Sequence, residues 1–265
     1  MKVQLEGVEC HVATGGKEFD PSLPTVLFLH GSGLDHRGWA LQTRWFAFHG
    51  FSVLAPDFPG HSLSDGEAFA DIESSASWLN ELLEATGVRS AHVVGHSQGF
   101  LSAIELASQF PERIKSLTGI GTGAAIPVNQ MLLDTAKASS AKAAEFMLQW
   151  GFGSGIHQGV SPTPGMQPIA IGYRIMSANP LATDLNACAN YSNGLNAAAN
   201  IKAPSCMVLA GQDKMTPLRS GKELAAALNS QQTHVLAEYG HMLPMEAPKQ
   251  VLHTIRDFIV SVEGN

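Results

Sequence analysis

The feature that most narrows the fold is a rhythm: short, unbroken apolar runs of strand length alternate with longer amphipathic segments. The runs "TVLFLHG" (25–31), "FSVLAPD" (51–57), "SAHVVGHS" (90–97), "IKSLTGIG" (114–121), "APSCMVLAGQD" (203–213) and "THVLAEYGH" (233–241) have the length and apolar content of strands. Residues 71–87 carry apolar side chains at helical spacing and stop at Gly87, and 100–111 stop at Pro111. Helical patterns return at 217–230 and from about Ala247 to Val260. Unbroken apolar strands are buried on both faces, and strands that alternate with helices pair in parallel, so a parallel sheet covered on both sides is expected. Ahead of these runs a hairpin is expected around Thr14-Gly15-Gly16.

The rhythm lapses from Pro127 to Asn200. Residues 127–153 are helical in pattern, and the rest of that stretch is rich in Gly, Pro, Asn and Ala without a strand. A helical lobe at 127–200 is therefore expected, inserted into a core of 1–126 and 201–265. With 265 residues, 45% of them hydrophobic, the chain can bury such a core as one domain. The net charge of −7 and the lack of any Lys/Arg cluster argue against nucleic acid or an anionic membrane as partner. A small molecule is the expected partner, and the oligomeric state is not legible. Cys10, Cys188 and Cys206 have no metal-ligand spacing and are expected to be buried small side chains. Neither a signal-peptide h-region nor a run of membrane-spanning length occurs, so the cytoplasm is the expected compartment.

The segment Gly95-His96-Ser97-Gln98-Gly99 falls between a predicted strand and a predicted helix. At such an elbow the serine is exposed in a strained backbone conformation, and the positions two before and two after must be small so that strand and helix can pass. A serine hydroxyl is a weak nucleophile, so it needs a base and a carboxylate to orient that base. Asp213 and His241 each follow a predicted strand, in the chain order that this elbow requires. Two oxyanion donors complete the set: the backbone N–H of Gln98, and that of Ser32 in the turn His30-Gly31-Ser32-Gly33.

With these four segments together, the chain resembles the α/β-hydrolase superfamily, in particular its cap-domain serine hydrolases: bacterial esterases, proline iminopeptidase-like enzymes and carbon–carbon bond hydrolases. His30-Gly31 is similar to the family's oxyanion turn, 57–64 to its "D-x-P-G-x-G-x-S" loop with Ser62 in place of glycine, and 240–248 to its "G-H-x-x-x-x-E-x-P" segment. The acid segment 211–217 matches with its proline one position early, at Pro217. The resemblance implies a mostly parallel eight-stranded sheet with an inserted helical cap, no cofactor, and cleavage of an ester, lactone or thioester through an acyl-enzyme. Aminopeptidase, carbon–carbon hydrolase and perhydrolase chemistry belong to the same fold, as do small-molecule receptors. A peptidase would need cap acids to hold an ammonium group, and only Asp134, Glu145 and Asp184, spread apart, are there.

Gly31, Gly33, His36, Trp150 and Met242 are candidates for the substrate pocket, with His36 either lining it or starting the next helix; Trp150 and Phe152, next to glycines, are candidates for its rim. Met131, Met147, Met166 and Met176 form either an adaptable roof over it or the lobe's own core. His30 and His96 are read as structural groups. His11, His49, His92, His157, His234 and His253 show no ligand spacing, so no metal site is expected. "GIGTGA" (119–124) matches a dinucleotide pattern, but no β-α-β unit with an acidic strand end follows, and small residues beside the active site explain it better.

Overall fold

The structure is a computed structural model and describes residues 1–154 and 168–264. One sheet contains β1 (Lys2–Leu5), β2 (Val8–Ala13), β3 (Thr25–Leu29), β4 (Ser52–Pro56), β5 (Ala91–His96), β6 (Ile114–Ile120), β7 (Ser205–Ala210) and β8 (Gln232–Leu236). Their order is β1-β2-β4-β3-β5-β6-β7-β8. The first two strands run antiparallel to their neighbours, and the others pair in parallel.

The helices are α1 (Ala40–Ala47), α2 (Ser74–Ala85), α3 (Gln98–Gln109), α4 (Gln130–Ala138), α5 (Ser140–Gly151), α6 (Pro168–Met176), α7 (Leu181–Asn190), α8 (Gly194–Ala199), α9 (Leu218–Ala227), α10 (Leu243–Glu246) and α11 (Pro248–Glu263). Successive residues of a strand point to opposite faces, and β3 supplies both cores of the doubly covered sheet. Leu27 and Leu29 join the cluster under α2, α3 and α9, while Val26 and Phe28 join the one under α1 and α11.

The opening hairpin sits elsewhere than the sequence suggests. Its turn is Glu6-Gly7, with φ of 50° and 83°, and Thr14-Gly15-Gly16 instead leads the chain out of β2. A glutamate is a rare occupant of positive φ, so the turn carries no obvious signal. Helix α1, which the sequence marks only by a start near His36, has bounds that periodicity does not show. Two of its four buried residues are Gln42 and Thr43, which hides the apolar stripe.

Between β6 and β7 the chain forms α4 to α8. The helical pattern of 127–153 divides at Ser139, whose hydroxyl accepts the Lys142 N–H and starts a new helix. Leu132, Met147, Leu148, Ile175 and Leu181 give this segment its own apolar cluster. Helix α8 packs against α3 and α9 and adds Ala197 and Ala198 to the cluster on the sheet. Among the described residues no helix is long and apolar enough to cross a membrane.

Phe28 is fully buried between Trp39 and Phe46, at ring separations of 5.3 and 5.7 Å. Phe28→Ala leaves a cavity in rigid surroundings and is expected to cost about 3–5 kcal/mol. Calorimetry should show Tm falling by roughly 10 °C, and a fall of less than about 2 °C would contradict this packing.

Candidate active site

Strand β5 ends and α3 begins at Ser97, which has φ 53° and ψ −122°. The flanking glycines are required by close approach. A Cβ on Gly95 would stand 2.5 Å from the Phe100 backbone nitrogen, and one on Gly99 would stand 2.3 Å from the Leu29 carbonyl oxygen. The strained elbow is pinned by the Ser97 N–H donating to Ile120 at 3.0 Å and by the Thr122 hydroxyl donating to the Ser97 carbonyl at 3.1 Å. Thr122 and Gly121, from the "GIGTGA" stretch, thus lie beside the site, and a Cβ on Gly121 would come within 2.9 Å of the His241 carbonyl.

Ser97, His241 and Asp213 come together from three strand ends. His241 Nε2 lies 3.0 Å from Ser97 Oγ, and His241 Nδ1 lies 2.9 Å from Asp213 Oδ2. All three are buried, at 5%, 2% and 8% exposure. Asp213 Oδ1 accepts the N–H groups of Met215 and Thr216, both at 2.8 Å, so its two oxygens divide the work of closing a turn and orienting the imidazole. The Thr216 hydroxyl adds a 2.7 Å bond to Oδ2. Burial pushes the Asp213 pKa up, but attraction to His241 and these hydrogen bonds outweigh it and hold the carboxyl at about 2.

Ser32 and Gln98 are tied to each other, the Ser32 hydroxyl donating to Gln98 Oε1 at 2.7 Å. Among the described residues none accepts from the backbone N–H of either. Below them, His30 donates from Nδ1 to the Gly31 carbonyl at 3.0 Å and accepts the Phe58 N–H at Nε2, 3.1 Å away. Burial first, and the nearby His61, hold its pKa at about 4. His96 donates from Nε2 to the His241 carbonyl at 2.9 Å, and burial first, then His241, lower its pKa to about 3. Both rings are neutral props. Cys188 lies 3.5 Å from the Ser32 hydroxyl, and burial pushes its thiol up to about 12.

Above Ser97 and His241 is a pocket of about 630 Å³, mouth included, with Leu132, Met147, Trp150, Met176, Leu185 and Met242 among its walls. Trp150 and Met242 are where the sequence reading put them, whereas Met215 and Lys214, both lining residues, escaped it. The only signal for them was their position directly after Asp213. Met147 and Met176 serve as both roof and core, while Met131 is exposed. Phe152 is buried in the lobe's cluster and not on the pocket wall, and His157 and Met166 lie outside the described residues.

His36 is a correction. It does not line the pocket but starts the next helix, opening the 3-10 turn ahead of α1 with its Nδ1 2.7 Å from Asp57 Oδ1. Gly31 and Gly33 do not line the pocket either. Gly31 backs onto His96 and Ser97, and Gly33 packs on Leu181 with its N–H bonded to Asp184. Ligand atoms of His11, His36 and Asp57 lie within 4.8 Å of one another, but Asp57 Oδ1 already accepts the His36 N–H as well as its ring, making this group a hydrogen-bonded anchor.

Glu246 was not singled out in sequence beyond its motif. Its Oε2 accepts the N–H groups of Gly153 at 2.8 Å and Gly240 at 3.1 Å, and its Oε1 accepts that of Met242 at 3.1 Å. One carboxylate thereby grips both sides of His241 and the end of the helical segment after α5.

A family model described as "Alpha/beta hydrolase family" matches residues 26–254. A 2-hydroxy-6-oxononadienedioate/2-hydroxy-6-oxononatrienedioate hydrolase of Paraburkholderia phymatum is 26% identical over 89% of this chain and 86% of its own. A 2-hydroxy-6-oxo-6-phenylhexa-2,4-dienoate hydrolase of Burkholderia cepacia is 32% identical, but over only 37% of this chain and 36% of its own. Among solved structures, the enol-lactonase of Burkholderia xenovorans LB400 has the same fold, with a TM-score of 0.87 at 21% identity over 98% of this chain and 100% of that one. An esterase of Thermogutta terrifontis gives 0.81 at 21% identity over 99% and 98%.

Proposed function

The chain belongs to the alpha/beta hydrolase family, and from that premise we propose that it is a serine hydrolase of small, largely apolar carboxylic esters, lactones or thioesters. The observation that carries this reading is the hydrogen-bonded series Ser97–His241–Asp213 at the floor of a mostly apolar pocket. Ser97 Oγ attacks the acyl carbonyl and passes its proton to His241 Nε2, which delivers it to the leaving group. Asp213 holds Nδ1–H and stabilises the imidazolium. The oxyanion is received by the Ser32 and Gln98 N–H groups, the latter at the positive end of α3. Water then attacks the acyl-enzyme with His241 as base. Residues 127–200 act as the cap that shapes the acyl site and excludes water, and no cofactor enters the reaction.

Peptidase chemistry is disfavoured because no cap acid faces the pocket. Asp134 and Glu145 are exposed, bonded to Gln130 and Lys142, and Asp184 is engaged elsewhere. Carbon–carbon bond hydrolysis is the second reading. It is supported by the relatives named above and by Lys214, a cation at the pocket wall suited to a substrate carboxylate.

Turnover of p-nitrophenyl esters from acetate to decanoate, and of aliphatic lactones, tests the proposal. Short acyl chains should be hydrolysed, with rates falling once the chain outgrows the space beneath Met147 and Met176. Turnover of a 2-hydroxy-6-oxodienoic acid with no ester cleavage would support the second reading. A ligand that stabilises the protein without being turned over would mark it as a receptor.

A further inference from the structure

One buried cluster connects the cap to the turn that carries Ser32. Asp184, near the start of α7, accepts with Oδ2 from the Gly33 N–H at 2.6 Å and from His61 Nε2 at 2.9 Å. The His61 and Asp184 side chains are 1% and 4% exposed. Asn179 holds the same turn by its carbonyls, its Nδ2 donating to Gly33 at 3.0 Å and to Leu34 at 2.9 Å. Its Oδ1 accepts the Ser62 N–H at 2.9 Å. Leu181 closes the remaining side, with Cδ1 2.8 Å from where a Gly33 Cβ would stand. Gly33 has φ +67°, so the turn is one that an unsupported chain would readily leave.

The charge on this cluster follows from hydrogen bonding. The His61 ring faces the Pro59 carbonyl with Nδ1 at 3.0 Å and the Asp184 carboxylate with Nε2. The Pro59 carbonyl can only accept, so Nδ1 donates to it, and the Asp184 carboxyl faces Nε2 and favours a proton there too. Burial works against that charge, but Asp184 outweighs it and the His61 pKa lies above its ordinary value. Proton binding at His61 offsets negative charge at Asp184 in the neighbourhood of a developing oxyanion.

We infer that Asp184, with His61 as its counter-charge, is a positioning residue of the oxyanion hole. By holding the Gly33 N–H it fixes the Ser32–Gly33 peptide, and one Cα away it sets the direction of the Ser32 N–H. It also keeps the Gly33 N–H from competing for that direction. The assignment rests on the acyl-enzyme reading of Ser97. Asp184 lies in none of the motifs that carry Ser97, Asp213 and His241; the helical cap supplies it, 151 positions along the chain from Gly33.

The test is kcat and KM for a short p-nitrophenyl ester, with the rate of fluorophosphonate labelling, in Asp184→Ala and Asp184→Asn beside Ser97→Ala. Asp184→Ala should lose about 10- to 100-fold in kcat, with KM within about threefold and labelling slowed in step. Asp184→Asn should keep more activity, losing about 3- to 10-fold, because its carboxamide oxygen still accepts from Gly33. If Asp184→Ala does not fold, the near-isosteric Asp184→Asn decides alone. A folded variant with kcat within about twofold of the wild type, or with its loss confined to KM, overturns the inference. Activity surviving in Ser97→Ala would instead remove the hydrolase reading, whatever the Asp184 variants do.

Discussion

Ser97→Ala is expected to lower kcat for a short-chain p-nitrophenyl ester by about 10⁴- to 10⁶-fold and to abolish fluorophosphonate labelling. The substitution removes one oxygen and keeps the Cβ, so the positive φ of the elbow, the Thr122 bond to the Ser97 carbonyl and the glycine contacts all persist. What disappears is the atom 3.0 Å from His241 Nε2, the only nucleophile in line with that base among the described residues. The surviving rate reports the oxyanion donors and binding alone. Turnover within about tenfold of the wild type in a folded Ser97→Ala protein would show that another group carries the chemistry.

Asp213→Asn should lower kcat by about 10⁴-fold. Asp213 Oδ1 accepts two backbone N–H groups and Oδ2 accepts from Thr216 and His241 Nδ1, so all its hydrogen-bonding neighbours are donors. An asparagine must turn its NH₂ toward one side. Facing His241, it forces the wrong imidazole tautomer; facing the Met215 and Thr216 N–H groups, it opposes donor to donor.

The same residue gives a stability signature with a definite sign. The Asp213 carboxyl sits at about 2 in the folded protein against 3.8 in a free chain, so its contribution is present above about pH 4 and is lost as pH falls through 2. It is worth on the order of 2 kcal/mol at neutral pH. Urea titrations at pH 7, 4 and 2.5 should show a larger acid loss in the wild type than in Asp213→Asn; equal losses would assign the acid sensitivity to other carboxyls.

Residues governed by local sterics were legible in the sequence. The elbow could be read because Gly95 and Gly99 each meet backbone where any side chain would collide, which a five-residue motif records. Asp213 and His241 could be read because each follows a strand end that the apolar runs mark. Residues that acquire their role from a distant partner were not legible. His36 stands close in sequence to the oxyanion turn, yet its position is decided by Asp57, 21 residues further on. Asp184 looked like an isolated cap acid until the fold brought Gly33 and His61 to it. The pocket wall draws Leu132, Met147, Trp150 and Met176 from helices whose apolar residues serve equally as the lobe's own packing, so spacing alone did not separate wall from core.

The grip of Glu246 on Gly153, Gly240 and Met242 has a mechanical consequence. Together with Asp184 on Gly33, it ties the helical segment between β6 and β7 to the rest of the chain at two places, the loop of His241 and the turn of Ser32. Hydrogen bonds at both places oppose lifting of this segment as one piece. Helices α4 and α5 carry Leu132, Met147 and Trp150 of the pocket wall, and none of these three takes part in either fastening, so exchanging them is expected to reshape the pocket while Ser97, His241 and Asp213 keep their alignment.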